Sequence, residues 1–404
     1  MRNVGPGVTD GVTRDAATGH YLVTGYDEAV AVLRDVETFS NDHDLILRHH
    51  GEAIGWVHPA YDDVDAIYAS ALPNVETLHF LDPPAHTAQR RRINRWFTSK
   101  RAQTAWQPMV EEVVDELIDG FSADGEVELI ERFAAPVPIR AIGAILGVDV
   151  GDVERIRGWS DAFVSSMGVD LDHAGWRTKA TSHVETQQFF MARIEELRRC
   201  PGEGLLDELV QASAHGTATD GDEPFTTLEI VNAMQHLLAA GNETTTQAIG
   251  LLVQLLVDHP DQLARLRAEP SLLANAVEEG LRLESPTQGL WRHCRNDAVV
   301  GDTPIPAGSM VIVMFGPANR DPARFDCPHQ FRVDRAEAPR HLAFGQGIHF
   351  CVGAALARME VQVAVGRLLD RLPGLRPAAG ADRTYGDSWL LRQLRTLPLE
   401  FDVR

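Results

Sequence analysis

Lysine is nearly absent from this chain. Of its 37 basic residues only Lys100 and Lys179 are lysines, and the rest are arginines. Positive charge is scarce as well: 37 Lys and Arg face 58 Asp and Glu, a formal net charge of −21. So acidic a surface repels polyanions, which excludes general nucleic-acid or anionic-membrane binding but leaves room for a local basic patch. Cysteine is limited to Cys200, Cys294, Cys327 and Cys351, with no CxxC pair, so neither a disulfide framework nor a zinc ribbon is expected. That usage points to a reducing, cytoplasmic compartment. No run of about 18 apolar residues occurs. The longest candidate, Leu237 to Val257, carries Asn242, Glu243, Gln247 and Gln254. No basic segment followed by an apolar run opens the chain, so no signal peptide is expected. Repeats, low-complexity tracts and a linker between halves are also missing, and residues 1–404 are expected to form one large domain. What is present is an ordinary globular mix, 44% hydrophobic and 24% charged.

The pattern along the chain predicts a mainly α protein with small β-sheets near the start and end. A strand-like run at His20–Tyr26 precedes a helix to about Phe39, with Asp27 as its cap. Asn41 to Phe80 reads as a long irregular connection. Helical periodicity then covers Ala85–Phe97, Lys100–Phe121, Val137–Leu146, Val150–Met167, His173–Arg199 and Leu205–Ser213. Thr226 or Thr227 caps a long helix to Asp258, followed by helices at Asp261–Ala268 and Ser271–Glu284. Strand signals return at Leu290–Arg295, Ala298–Val300 and Ser309–Val313. Val352–Leu372 is the last long helix, and Leu390–Val403 has strand pattern.

The densest chemical signal is Phe344-Gly-Gln-Gly-Ile-His-Phe-Cys-Val-Gly353. Gly345 and Gly347 allow tight turns and close approach to a flat ligand. Cys351 lies at the mouth of a helix, where the positive helix end and backbone N–H groups favour thiolate, suited to a nucleophile or a metal ligand. The bland alternative is an inert cysteine beside a structural turn. A dinucleotide loop does not fit, because the third glycine comes too late and no strand precedes it.

Ala240-Gly-Asn-Glu-Thr-Thr-Thr246 lies mid-helix, although glycine and threonine are weak helix formers. Threonine hydroxyls can bond the carbonyls one turn back and loosen the helix there. An acid beside an alcohol suits a proton relay; a simple kink is the alternative. Glu279 and Arg282, i and i+3, share a face and can pair. His86 and Arg90, i and i+4, project together and can bond a carboxylate or phosphate, or form a solvated basic face. Arg292 sits where an alternating strand can point it inward. His43, His49, His50 and His58 are expected to be solvated or packing histidines rather than a metal site.

In this order and spacing the segments resemble the cytochrome P450 family of haem-thiolate monooxygenases, in its soluble bacterial form, from about Tyr21 to Val403. The resemblance implies the cytochrome P450 fold around a buried haem b, with Cys351 as axial thiolate, a ligand that favours O–O cleavage. It implies His86, Arg90, Arg292 and His349 as haem-propionate partners, with Phe344, Gly345, Ala240 and Gly241 against the macrocycle. Glu279 and Arg282 become a buried structural pair completed by Arg335. Thr244 and Glu243 become the oxygen-holding and proton-passing pair. The implied reaction is hydroxylation of an apolar small molecule (a terpenoid, steroid, fatty acid or polyketide) with O2 and two external electrons. Coupling or desaturation within the family and a non-catalytic haem sensor are the alternatives; a cysteine hydrolase lacks an orienting third residue. The implied electron donor is a ferredoxin with its reductase, steered to Arg90, Arg91, Arg92, Arg95, Lys100 and Arg101. No nucleic acid, no membrane and a monomer are expected. Against the family pattern, the first helix and proline-rich lead-in are expected to be absent. Trp56, Phe163, Met167, Phe189, Leu237, Leu290, Trp389 and Leu390 are the candidates for an apolar substrate pocket.

Overall fold

Two buried strands anchor the main sheet. Met310–Met314 is apolar throughout and buried on both faces, which places it mid-sheet. Tyr21–Val23 pairs parallel to it, and Gly289–Cys294 pairs antiparallel on its other side. The five-stranded order is Val12–Arg14, Tyr21–Val23, Met310–Met314, Gly289–Cys294 and Phe39–Ser40. Ala298–Val300 pairs with Thr303–Ile305, and Pro398–Glu400 lies between Glu126–Glu128 and Arg376–Pro377. This is a computed structural model, and it describes residues 11–51, 57–148, 153–216 and 223–403. Trp56 and the start of the N-terminal lead-in lie outside them.

Most of the rest is helical. The Thr227–Asp258 helix crosses the core, and helices Pro136–Leu146, Val153–Val164, His173–Arg199, Leu273–Leu283 and Ala354–Arg371 pack on it. Its start is set by a capping box: Thr226 Oγ1 accepts from Glu229 N at 3.3 Å and Glu229 Oε2 accepts from Thr226 N at 2.7 Å. The helix is continuous through Thr244–Thr246. Thr244 Oγ1 donates to Ala240 O at 2.8 Å, as expected of a threonine there, without interrupting the helix. Gly241 has a packing reason, since a Cβ there would meet Ile142 Cδ1 at 3.3 Å.

Several expected boundaries move. The first helix is Tyr26–Arg34 with Gly25 at its cap. Asp27 sits inside the first turn, where a carboxylate favours the helix dipole. Phe39–Ser40 is not helical but pairs with His293–Cys294. The supposed irregular connection contains helices at His43–His50, capped by Asp42, and at Asp62–Tyr68. The expected Lys100–Phe121 helix is interrupted by a π-helical segment at Ala102–Trp106. Of Leu390–Val403, only Pro398–Glu400 is a strand.

Glu279, Arg282 and Arg335 form a fully buried cluster. Arg282 donates Nε to Glu279 Oε2 at 2.7 Å and Nη2 to Oε1 at 2.9 Å, while Arg335 Nε reaches Oε1 at 2.9 Å. The remaining guanidinium donors bond the carbonyls of Asn319, Asp326, Cys327, Pro328 and Gln330. The cluster thus clamps the Leu273–Leu283 helix to the loop that leads into the cysteine segment.

Candidate active site

The cysteine segment folds as a tight loop. Gly345 and Gly347 have φ of 69° and 73°, and a Cβ on Gly347 would lie 2.6 Å from Leu33 O. Both requirements select glycine. Cys351 N donates to Phe344 O at 2.9 Å, and the following helix starts at Ala354 rather than at Val352. The Cys351 thiol is exposed, but into an internal cavity. Burial pushes its pKa up. The N–H groups of Gly353 and Ala354 and the guanidinia of Arg90 and Arg358 act the other way without overcoming it. The expected preference for thiolate therefore needs a metal ion to complete it.

The central helix forms the opposite wall. Leu237, Ala240, Gly241, Thr244, Thr245 and Ala248 recur at helical spacing and line the same cavity. Ala240 is exposed in the middle of a core helix, which is possible only because it faces this space. Phe344, Gly345, Leu290, His86, Arg90, Arg292 and His349 complete the lining among the residues expected from sequence.

One rim of the cavity is basic and unsatisfied. The rings of His86 and His349 lie 4.3 Å apart. Both His86 nitrogens and His349 Nε2 are buried with no hydrogen-bond partner, and Arg292, 2% exposed, donates Nη1 to Trp291 O at 2.7 Å. Every one of these groups is shifted away from its charged form. Burial leads in each case and lowers His86, takes His349 to about 2 and Arg292 to about 10, with neighbouring cations adding to the two histidines. Buried donors without acceptors call for an acceptor. A flat apolar ligand with carboxylates on one edge and a metal over Cys351 fits this donor set, and haem has that chemistry.

Glu243 is 6% exposed and also reaches the cavity. Its Oε1 accepts from Gln393 Nε2 at 2.9 Å and Gln247 Nε2 at 3.3 Å. Asp161, on the neighbouring helix, is raised to about 6 by burial first and by Glu243 second. Neither Gln393 nor Asp161 stands out in the sequence.

The expected pocket residues divide. Leu237 and Leu290 line the cavity, as do Phe163 and Met167. Trp389 and Leu390 do not: Leu390 is fully buried in a side cluster, and Trp389 packs edge-on to Trp291 at 6.5 Å. A bridge between Thr287 and Leu391 sets the register, so Leu391 is the residue that faces inward. Phe189 packs on Trp159 at 5.2 Å. His49 and His50 pack on His293, and His58 on Tyr68, as expected of packing histidines. The arginine cluster is partly consumed: Arg95 pairs with Glu208, Arg101 stacks on Trp96 at 3.8 Å, and Arg92 lies over Phe225 at 4.8 Å.

A cysteine thiol aimed across an apolar slot at an acid–alcohol helix, under a rim of unpartnered histidines beside Arg90 and Arg292, is the site of a thiolate-ligated haem protein. The chain belongs to the cytochrome P450 family and is a P450 monooxygenase. The family model "Cytochrome P450" matches residues 176–373. The chain is 38% identical over 388 residues to 6-deoxyerythronolide B hydroxylase of Saccharopolyspora erythraea, covering 95% of this chain and 90% of that one. It is also 38% identical to cytochrome P450 monooxygenase PikC of Streptomyces venezuelae, covering 94% and 85%. The tirandamycin C-bound P450 monooxygenase TamI shares the fold with a TM-score of 0.80 at 34% identity, covering 95% and 90%. Among the described residues no helix is long and apolar enough to cross a membrane.

Proposed function

We propose that residues 1–404 form one domain that binds haem b through Cys351 and hydroxylates a largely apolar small molecule of secondary metabolism. The observation that carries this reading is the Cys351 thiol in a cavity whose far wall is Ala240, Gly241 and Thr244 and whose rim holds the unpartnered nitrogens of His86 and His349. The hydroxylase and monooxygenase relatives support the reaction class. When bound, the haem iron supplies the binding and activation of O2.

The chain's own residues set the conditions for that chemistry. His86, Arg90, Arg292 and His349 hold the propionates, each charged hydrogen bond contributing about 1.5–3 kcal/mol. Thr244 has already given its one O–H to Ala240 O, so Oγ1 offers lone pairs and accepts from a protonated ligand or water in the cavity. Glu243 passes protons inward, kept in place by Gln393 and Gln247. Electrons come from a ferredoxin and its reductase, docking over the exposed basic stretch that holds Arg91, Arg95 and Lys100. The protein works as a cytoplasmic monomer. Turnover with a surrogate ferredoxin, its reductase and isotopically labelled O2 tests the reading: one labelled oxygen atom should appear in product. Arg91→Glu with Lys100→Glu should slow the first reduction at low salt, and an unchanged rate would remove the docking assignment.

A further inference from the structure

A pocket of about 580 Å³ adjoins the haem cavity and shares Thr77, His79, Phe163, Met167, His236 and Ala239 with it. Its outer end is polar rather than apolar. Lys179, Ser182, His183 and Thr186 come from one stretch of the His173–Arg199 helix, with Asn232, Gln235 and His236 facing them from the central helix. Lys179 is one of two lysines in the chain. Its Nζ donates to Ala162 O at 3.3 Å and Phe163 O at 2.8 Å, and among the described residues no carboxylate reaches it. Glu76, the acid lining this pocket, is paired with His43 at 2.8 Å. His236 touches His79, Phe80 and Phe163 through its ring, and no described protein group hydrogen-bonds it. The cavity is therefore amphiphilic, apolar beside Cys351 and cationic with spare donors at its outer end.

We propose that Lys179 anchors a carboxylate on the substrate, with the His183 and His236 imidazoles beside it, so that the substrate's apolar body extends toward Cys351. This rests on the monooxygenase reading and adds a substrate class to it: apolar carboxylic acids. In a chain of net charge −21, an acid entering the pocket meets repulsion from the protein as a whole, and a local cation is what offsets it. Burial lowers Lys179 to about 8, so it is still mostly charged at neutral pH. The charge also lies at the C-terminal end of the Val153–Val164 helix, where those two carbonyls orient it and leave a third N–H for a ligand.

Spin-state titration of the holoenzyme tests this with dodecanoate and abietate, each against its methyl ester. Wild type should bind at least one acid tenfold or more tightly than its ester. Lys179→Gln keeps donors for the two carbonyls but removes the charge, and should bring acid and ester within twofold; Lys179→Arg should retain most of the preference. Equal affinity for acid and ester, no shift with either acid, or an acid preference that survives in Lys179→Gln overturns the proposal. The carbon monoxide difference spectrum of the same samples reports the thiolate-ligated haem independently. An intact spectrum with no acid preference removes the carboxylate site and leaves the monooxygenase standing.

Discussion

Gln393 Nε2 donates to Glu243 Oε1 at 2.9 Å, joining the end of the chain to the middle of its central helix. Gln393 in turn accepts from Arg395 Nη2 at 3.2 Å. Glu243 is thus oriented by a residue 150 positions away. Gln393→Leu should leave haem binding intact but lower the fraction of electrons that reach product, and raise peroxide release, by several-fold. Product and peroxide measured per reduced nicotinamide consumed check this. Thr244→Ala should uncouple more strongly, because Thr244 faces the cavity directly.

Asp161 lies in the field of the Glu243 carboxylate. Asp161, raised to about 6, holds its proton in the folded protein to a higher pH than in the unfolded chain. Its contribution to stability is therefore most favourable below about pH 4 and is lost as pH rises through about 6. Asp161→Asn should stabilise the protein at pH 7.5 by on the order of 1–2 kcal/mol, given about 1.4 kcal/mol per unit and partial solvent access. The gain should shrink toward pH 5. Urea unfolding at the two pH values measures it. Glu243→Gln should lower the Asp161 pKa, since one of its causes is gone.

Glu279 neutralises two guanidinia that are themselves completely buried. Removing the one carboxylate leaves both positive charges uncompensated, a loss of about 3–5 kcal/mol. Glu279→Gln should lower the thermal midpoint and the yield of haem-loaded protein together. Calorimetry and the haem-to-protein absorbance ratio follow the two effects.

His86 has two ring nitrogens with no partner in the protein. His86→Phe keeps a ring of similar shape and removes one donor, so haem should transfer to apomyoglobin roughly 10- to 100-fold faster, as expected for one charged hydrogen bond. Stability of the protein without haem should hardly change, because the donor is unpaired there.

Much of this architecture is written locally in the sequence. The central helix is bounded as expected because Thr226 and Glu229 form its capping box and its apolar residues keep one period. The cysteine loop is legible because Gly345 and Gly347 require left-handed backbone. The His43–His50 helix is not, since its polar sequence has one buried residue, Ile46, and offers little periodicity to read. Trp389 and Leu390 read as pocket residues from sequence, because period-two alternation gives no absolute register; the Thr287 bridge turns Leu391 inward. Lys179, His183 and His236 escape a reading that follows apolar residues, although His236, Ala240 and Thr244 recur at i+4 on one helical face. Gln393 is set against Glu243 only by tertiary packing.

The central claim is that Cys351 ligates haem iron as a thiolate. The difference spectrum of the reduced protein with and without carbon monoxide tests it most directly. Wild type should show the strongly red-shifted Soret band of thiolate ligation, and Cys351→Ala should lose it. An unshifted band in wild type, or a red-shifted band that persists in Cys351→Ala, would contradict the account.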